Sequence, residues 1–384
     1  MSELTKLSAS RIKTAQTCSW TYWCNYKLKL PQAGNDGSSR GTICHNIFEL
    51  LGDKHKAEFN KITKEGTIWN TKVVAAQVKE EAEELKVNDQ ENLDLIDEMI
   101  VAGLRCDFFG DTEEKPEEAE SERFFDLEID KPEKGIRYAV RGYIDKLFKY
   151  KDNSVIIRDF KSSKQVFKGK EITDNLQNLI YSLAVKHLIP ESQPQSEFIF
   201  LRFDLDKDVL GERGKGYVRM EKITEEELEG FEHQLTQFQE YLDNFDEACA
   251  TSNFAAKQDY PRDGTFGGPL ACGKDGYKIS RGEPILDQNG EPIKAFICPY
   301  RKPMEYYAIK DQDGNVTKTS FIDKKETLEA DDSKGEKVVK MKYDGCPHWE
   351  NKQKLDDLVE EILVSEGRQL QVELHTKQGT LRLR

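Results

Sequence analysis

Between Arg141 and Lys164, two apolar segments flank a short polar turn, and each carries an aspartate at the same distance from it. Lys151-Asp152-Asn153 has turn chemistry and Val155-Ile156-Ile157 is β-branched, so the stretch reads as a β-hairpin. Centring it on Asp152 sets Asp145 opposite Asp159, each seven residues away. Directly opposed residues have Cβ atoms about 4.5–5.5 Å apart. Two carboxylates held that close repel unless a cation lies between them, and oxygen ligands suit Mg²⁺ or Mn²⁺. Alternation sends Asp159 and Lys161 to one face of the strand and Phe160 to the other. Lys161 then stands where it can orient a water or steady charge on a phosphate. An exposed hairpin with solvated charges would have the same composition, so the rest of the chain must decide.

The chain has 384 residues, enough for one large domain or two ordinary ones. With 37% hydrophobic and 33% charged residues it reads as a soluble globular protein. Met1-Ser-Glu-Leu-Thr-Lys offers no apolar signal core, and no run reaches the length of a membrane span. A cytoplasmic protein without membrane contact is therefore expected, in which eight cysteines point to metal ligation or buried thiols before disulfides. A net charge of −14 argues against a protein that coats nucleic acid over its whole surface. An acidic protein can still carry a basic cleft, since salt screens charges beyond about 8–10 Å. Arg40, Arg141, Arg158, Lys161, Lys164, Lys168 and Lys170 keep bases near the motifs, although solvated surface charge reads the same way.

Ser8 or Ser10 can cap a first helix to about Tyr26, carrying Trp20, Tyr22, Trp23 and Tyr26. Such aromatics are more often core than a platform for stacked bases. Residues 32–39 form a loop, and in the helix after it His45 and Glu49 share a face one turn apart. Residues 71–109 are helical, while the acidic run 111–122, with Pro116, reads as a surface loop without a role. A meander of strands begins at Phe124, and residues 171–188 form a helix with Gln177 and Tyr181 on one face. Residues 197–203 should return as a parallel strand. One amphipathic helix is expected over 224–250, hairpins over 282–294 and 306–319, a helix over 355–363, and a strand or partner-binding tail over 369–384.

Five pieces in order carry a resemblance: Leu7-Ser8-Ala9-Ser10-Arg11 with Cys18; Arg40-Gly41-Thr42-Ile43-Cys44-His45 through Glu49; Gly142 to Asp145; Asp159-Phe160-Lys161; and Gln177 to Tyr181. Over residues 5–205 this resembles the RecB-like exonuclease branch of the PD-(D/E)XK nuclease superfamily. The resemblance implies an α/β fold with a restriction-endonuclease-like core, a mixed central sheet flanked by helices. To this the chain would add a helical insertion and an irregular, cysteine-bearing carboxy-terminal region. The expected segments are an amino-terminal helix (1–30), the histidine-motif helix and helical segment (40–110), the core sheet (122–205), a helical connection (206–258), the cysteine-bearing hairpins (259–350), and a last helix and tail (351–384). By the same resemblance His45, Asp145, Asp159 and the Phe160 carbonyl would hold Mg²⁺ or Mn²⁺, with Glu49 near them. Lys161 would orient or deprotonate the attacking water, and Gln177 and Tyr181 would position the strand. Arg40 and Lys164 are candidates for phosphate contacts.

The iron–sulfur members of this branch, AddB and the CRISPR-associated exonucleases among them, place one cysteine before the histidine motif and three after the core. Cys18, Cys272, Cys298 and Cys346 occupy those places, and the resemblance implies a [4Fe–4S] cluster. The family's last three are tightly spaced, C-x2-C-x5-C; here the gaps are far wider. A structural Zn²⁺, with His348 as a nitrogen alternative, and four unrelated thiols are the other readings. Cys24, Cys44, Cys106 and Cys249 read as ordinary buried thiols.

The expected activity is metal-dependent hydrolysis of phosphodiesters from single-stranded DNA ends, in DNA recombination, repair or processing in a bacterial or phage-infected cell. A structure-specific or nicking endonuclease, and a non-catalytic DNA-binding or assembly subunit, are the rivals. No GxxxxGK[ST] loop is present, so a helicase would be a separate partner, as would a single-strand-binding protein.

Overall fold

The computed structural model describes residues 4–53, 55–111, 113–206, 212–255, 272, 279–280, 283–284, 286, 292, 297–349, 373–376 and 379–382. The chain divides into two compact units. The first takes in Met1–Thr14 and Ala33–Phe245; the second takes in Ala15–Gln32 and most of the chain from Asp246 onward.

The first helix, α1 (Ala9–Thr17), is shorter than its aromatics suggest, because Cys18 is extended at φ −161°. A single turn, α2 (Ser19–Tyr22), follows and runs into a π-turn over Trp23–Lys27. Four helices come next: α3 (Asp36–Asp53), α4 (Lys56–Glu65), α5 (Val73–Glu84) and α6 (Gln90–Arg105). The Asp89 carboxylate starts α6 by accepting the Asn92 N–H at 3.0 Å. Ile43, Ile47 and Phe48 of α3 and Ile96, Ile100 and Leu104 of α6 recur at helical spacing and are all buried. They build one core with Phe108 and Phe160, and burying each such side chain stabilises the fold by about 1.5–3 kcal/mol.

The sheet contains β1 (Glu118–Lys131), β2 (Ile136–Lys149), β3 (Ser154–Lys161), β4 (Gln193–Phe200) and β5 (Tyr217–Arg219), in that spatial order. All neighbours are antiparallel except β3 and β4, which run parallel. The β3–β4 connection contains α7 (Lys170–Thr173) and α8 (Leu176–Leu188). Residues 171–188 are therefore two helices and not one. Asn175 is extended and caps α8 through the N–H groups of Gln177 and Asn178, both at 3.0 Å. Helix α9 (Glu225–Asp243) starts at a Thr224–Glu227 capping box and packs on β2, and α10 (Glu247–Ala250) is a separate turn. This is the expected mixed sheet flanked by helices.

One interaction inside the sheet corrects the reading of Arg158 as a base near the motifs. Its guanidinium is buried and donates to the fully buried Glu197, with Nη2 2.8 Å from Oε2. Burial would raise the Glu197 pKa, but Arg158, Tyr217 and Arg219 together hold it below its ordinary value. Arg158 thus ties β3 to β4.

The second unit holds two two-residue strands, β6 (Ile279–Ser280) and β7 (Glu283–Pro284), and a three-stranded antiparallel sheet of β8 (Met304–Lys310), β9 (Val316–Phe321) and β10 (Lys337–Tyr343), in the order β10-β8-β9. Trp20 and Tyr22 are buried in this unit, and Trp20 Nε1 donates to the Tyr343 hydroxyl at 2.6 Å. These aromatics are core. A final hairpin pairs β11 (Glu373–Thr376) with β12 (Gly379–Arg382); residues 355–363, expected as a helix, lie outside the described residues. Among the described residues no helix is long and apolar enough to cross a membrane.

Candidate active site

The site forms where the β2–β3 ladder ends. The pairs Lys146↔Arg158 and Leu147↔Ile157 fit a hairpin centred on Asp152, and the same count brings Asp145 level with Asp159. Beyond Lys146 the backbone pairing stops, and the Asp145 side chain replaces it by accepting the Phe160 N–H at 2.7 Å. Phe160 packs its ring on Phe48 of α3, 4.4 Å between centroids, while Asp159 and Lys161 face Gln177 of α8. The alternation read from the sequence is the one observed.

The two aspartates differ in their nearest partners. Asp145 Oδ2 lies 3.3 Å from His45 Nδ1, and His45 Nε2 lies 3.1 Å from the Phe160 carbonyl. A second carboxylate, Glu122, reaches the same ring nitrogen at 3.9 Å. One ligand atom each from His45, Glu122 and Asp145 lies within 4.8 Å of the others, a set that could hold a metal ion. Burial alone would lower the His45 pKa; Asp145, Glu122 and Asp159 outweigh it and hold the ring up at about 10. A proton there offsets charge that a divalent ion would otherwise offset.

Asp159 is almost fully buried and faces Lys161, with Oδ2 2.6 Å from Nζ. Gln177 Nε2 donates to Asp159 Oδ1 at 2.6 Å and to the Tyr181 hydroxyl at 2.7 Å, while its Oε1 accepts from Lys161 at 2.7 Å. Gln177 therefore fixes both the carboxylate and the ammonium. Burial pushes the Asp159 pKa up to about 6, against the pull of Lys161. Burial likewise keeps Tyr181 neutral, its pKa raised further by Asp159 and Asp145.

Glu122 is the residue that sequence reasoning missed. The acidic run taken for a loop becomes the start of β1 at Glu118, and Glu122 stands between the pairs Ser121↔Lys146 and Arg123↔Ile144, level with Asp145. Its φ of +47° breaks the strand alternation, a strained conformation for a residue with a side chain. Counting outward from the turn Pro132–Lys134, as was done from Asp152, would have found it. Glu49 is exposed. Lys164 is exposed as well, three residues past Lys161, whereas Arg40 is buried, donates to Asn92 and braces α3 against α6.

In the second unit, Cys18, Cys272, Cys298 and Cys346 line one small cavity, together with Trp20, Phe254, His348 and Trp349. The Cys298 N–H donates to the Cys272 carbonyl at 3.0 Å, and the Cys346 N–H to the Arg301 carbonyl at 3.3 Å. Burial raises the Cys298 thiol to about 11 and also raises Cys346. Cys44 and Cys106 are buried in the first unit, Cys24 is buried close to Cys18, Cys298 and Cys346 with its thiol 3.5 Å from the Tyr343 hydroxyl, and Cys249 is half-buried.

No curated protein matches the chain at a significant level. From Leu7 near α1 through the histidine, the paired aspartates, Lys161 and Gln177, the site lies within residues 6–272, which match the PD-(D/E)XK nuclease superfamily, and the chain belongs to that superfamily.

Proposed function

We propose that this protein is a DNA exonuclease acting on single-stranded ends, of the RecB-like branch, and that His45, Asp145, Asp159 and the Phe160 carbonyl, joined by Glu122, hold Mg²⁺ or Mn²⁺. One observation carries the reading: Lys161 is clamped between Asp159 and Gln177 beside the His45–Glu122–Asp145 group. A divalent ion there would bind the scissile phosphate and lower the pKa of a water. The Phe160 N–H helps to hold Asp145 in place. Lys161 presents a cation whose position is set by two partners, suited to orienting the attacking water and to offsetting charge on the phosphate. Gln177 and Tyr181 act through Asp159 and Lys161, as positioning residues for them.

For the cysteine site the reading is a [4Fe–4S] cluster held by Cys18, Cys272, Cys298 and Cys346. All four face one cavity, which supports a shared group over unrelated thiols.

The test is anaerobic purification, metal analysis, and digestion of end-labelled linear single-stranded DNA with Mn²⁺, beside a circular single strand. Stepwise loss from an end, with the circle intact and activity abolished by Asp159→Ala, is the expected result. Cutting of the circle would make the enzyme an endonuclease. Lack of cleavage on any DNA with any divalent metal would leave only a scaffold role.

A further inference from the structure

Beside the metal-ligand group, β1 and β2 carry an aromatic pair that neither the mechanism nor the core uses. Phe124 and Tyr143 are directly opposed across the two strands, with ring centroids 4.9 Å apart and planes tilted by 43°. They are 47% and 56% exposed, the two most exposed aromatic rings among the described residues. Other aromatics of this unit do what aromatics ordinarily do: Phe125, the neighbour of Phe124, is buried and meets Tyr181 edge-on. A cross-strand pair stiffens a hairpin, but that task does not require both rings to stand in water.

Position ties the pair to the chemistry. Phe124 is two residues from Glu122 and Tyr143 two from Asp145, and both carboxylates lie at His45. Two residues along a strand span about 7 Å. On β2 the alternation puts Tyr143 on the same face as Asp145, and Arg141, which is exposed, one step farther on that face. Asp126, opposite Arg141, is paired with Lys6 at 2.9 Å. A ligand running along β2 from the metal group would therefore meet a carboxylate–metal end, then two aromatic faces, then a guanidinium. That order matches a nucleic acid strand, with a phosphate at the metal, bases on the rings and a further phosphate at the arginine. Bases in a duplex are stacked on one another and cannot reach such a ledge, whereas unpaired bases can.

We propose that Phe124 and Tyr143 form a stacking platform for unpaired bases next to the scissile phosphate, giving the site its selectivity for single strands. This rests on the nuclease reading above. Base–aromatic stacking of this kind is lost on alanine substitution at a cost of about five- to a hundredfold in affinity per base.

The experiment measures binding of a fluorescent deoxythymidine 20-mer and of an abasic 20-mer with the same phosphates, in EDTA to prevent cleavage. Wild type, Phe124→Ala, Tyr143→Ala, the double variant and Tyr143→Phe are compared, with end-labelled cleavage in Mn²⁺ alongside. Expected is a five- to hundredfold loss on the thymidine strand for each alanine variant. Binding of the abasic strand should be unchanged, and Tyr143→Phe should retain wild-type affinity with an unchanged melting temperature. Equal binding of both strands by wild type, while it still degrades single-stranded ends, overturns the platform and leaves the nuclease reading standing. So would alanine variants that bind like wild type, or a change of oligomeric state with DNA affinity untouched, which would make the pair a contact between copies of the chain. Failure of wild type to bind or cut any single strand overturns both.

Discussion

Glu122 stores backbone strain at the point where its carboxylate meets His45. A residue with a Cβ at φ +47° costs about 1–2 kcal/mol relative to ordinary strand geometry, and glycine relieves this at the expense of greater freedom in the unfolded chain. Glu122→Gly should therefore leave stability unchanged or raise it by up to about 1 kcal/mol. The same change should weaken Mn²⁺ binding about ten- to a hundredfold, by analogy with the loss of groups that support a metal site. Stability and metal affinity moving in opposite directions would mark the strain as functional; a fall in both would make Glu122 a structural residue. Calorimetric titration with Mn²⁺ at pH 6 and pH 8, with thermal melts, measures both. The pH direction follows from the two raised pKa values. His45, held at about 10, must release its proton to become a ligand, and Asp159, at about 6, must be ionised. Affinity should rise with pH, by up to about tenfold per unit above pH 6 and more steeply below it.

Among the elements, α6 and α9 each contain an internal glycine, and their surroundings set opposite signs for the same substitution. Gly103 in α6 faces Phe48; a methyl there would overlap Phe48 Cζ and sit 3.0 Å from Leu201 Cδ2. Phe48 in turn packs on Phe160, whose carbonyl meets His45. Gly103→Ala should cost about 1–3 kcal/mol and lower metal affinity through that contact. Gly230 in α9 has nothing within 4 Å of such a methyl, so Gly230→Ala should stabilise by about 0.5–1 kcal/mol through helix propensity. Denaturant melts of the two variants test the pair, and equal effects would show that packing does not decide. The same contrast explains what could be read beforehand. Asp145, Asp159 and Lys161 were legible because a hairpin register is fixed by its turn, and the β8–β9 hairpin because Asp313-Gly314-Asn315 allows Gly314 its φ of +81°. His45 and Gln177 were legible through their place in a familiar order of motifs. Helix ends were not: Asn175 and Cys18 break apparently continuous helices through extended backbone, which periodicity does not register. Nor was the burial of Arg158, which depends on β4 beyond two helices; Glu122 escaped because its acidic run carries no strand pattern, although the Pro132–Lys134 turn sets its register.

Across the whole molecule, neither compact unit is a continuous piece of chain, and the second draws together Ala15–Gln32 and the segment after Asp246. That union is held by Trp20 against Tyr343, Ser19 against the Ala250 carbonyl at 2.9 Å, and the cysteine cavity. Cys18 and Cys272 are 254 positions apart, so a shared metal group would close a loop of that length in the unfolded chain. For a cross-link of this span the loss of chain entropy amounts to on the order of 5 kcal/mol, which is the scale of stabilisation expected from the proposed cluster. The thiols resist ionising without a cation, as the raised Cys298 pKa of about 11 shows, so the empty site should not substitute for the filled one. Cys18→Ser should therefore abolish iron incorporation and lower the apparent melting temperature by several degrees, and Cys298→Ser should do the same. Cys249→Ser, outside the cavity, should change neither. The Mn²⁺ affinity of the His45 group should survive in all three, since each of its ligands lies within the first unit. Iron analysis and visible absorption of anaerobically purified variants, with melts and Mn²⁺ titrations, separate the outcomes. Full iron in Cys18→Ser would remove that residue from the ligand set. Loss of iron with an unchanged melt would mean that the cluster, if it has a task, does not act as a fastening for the chain.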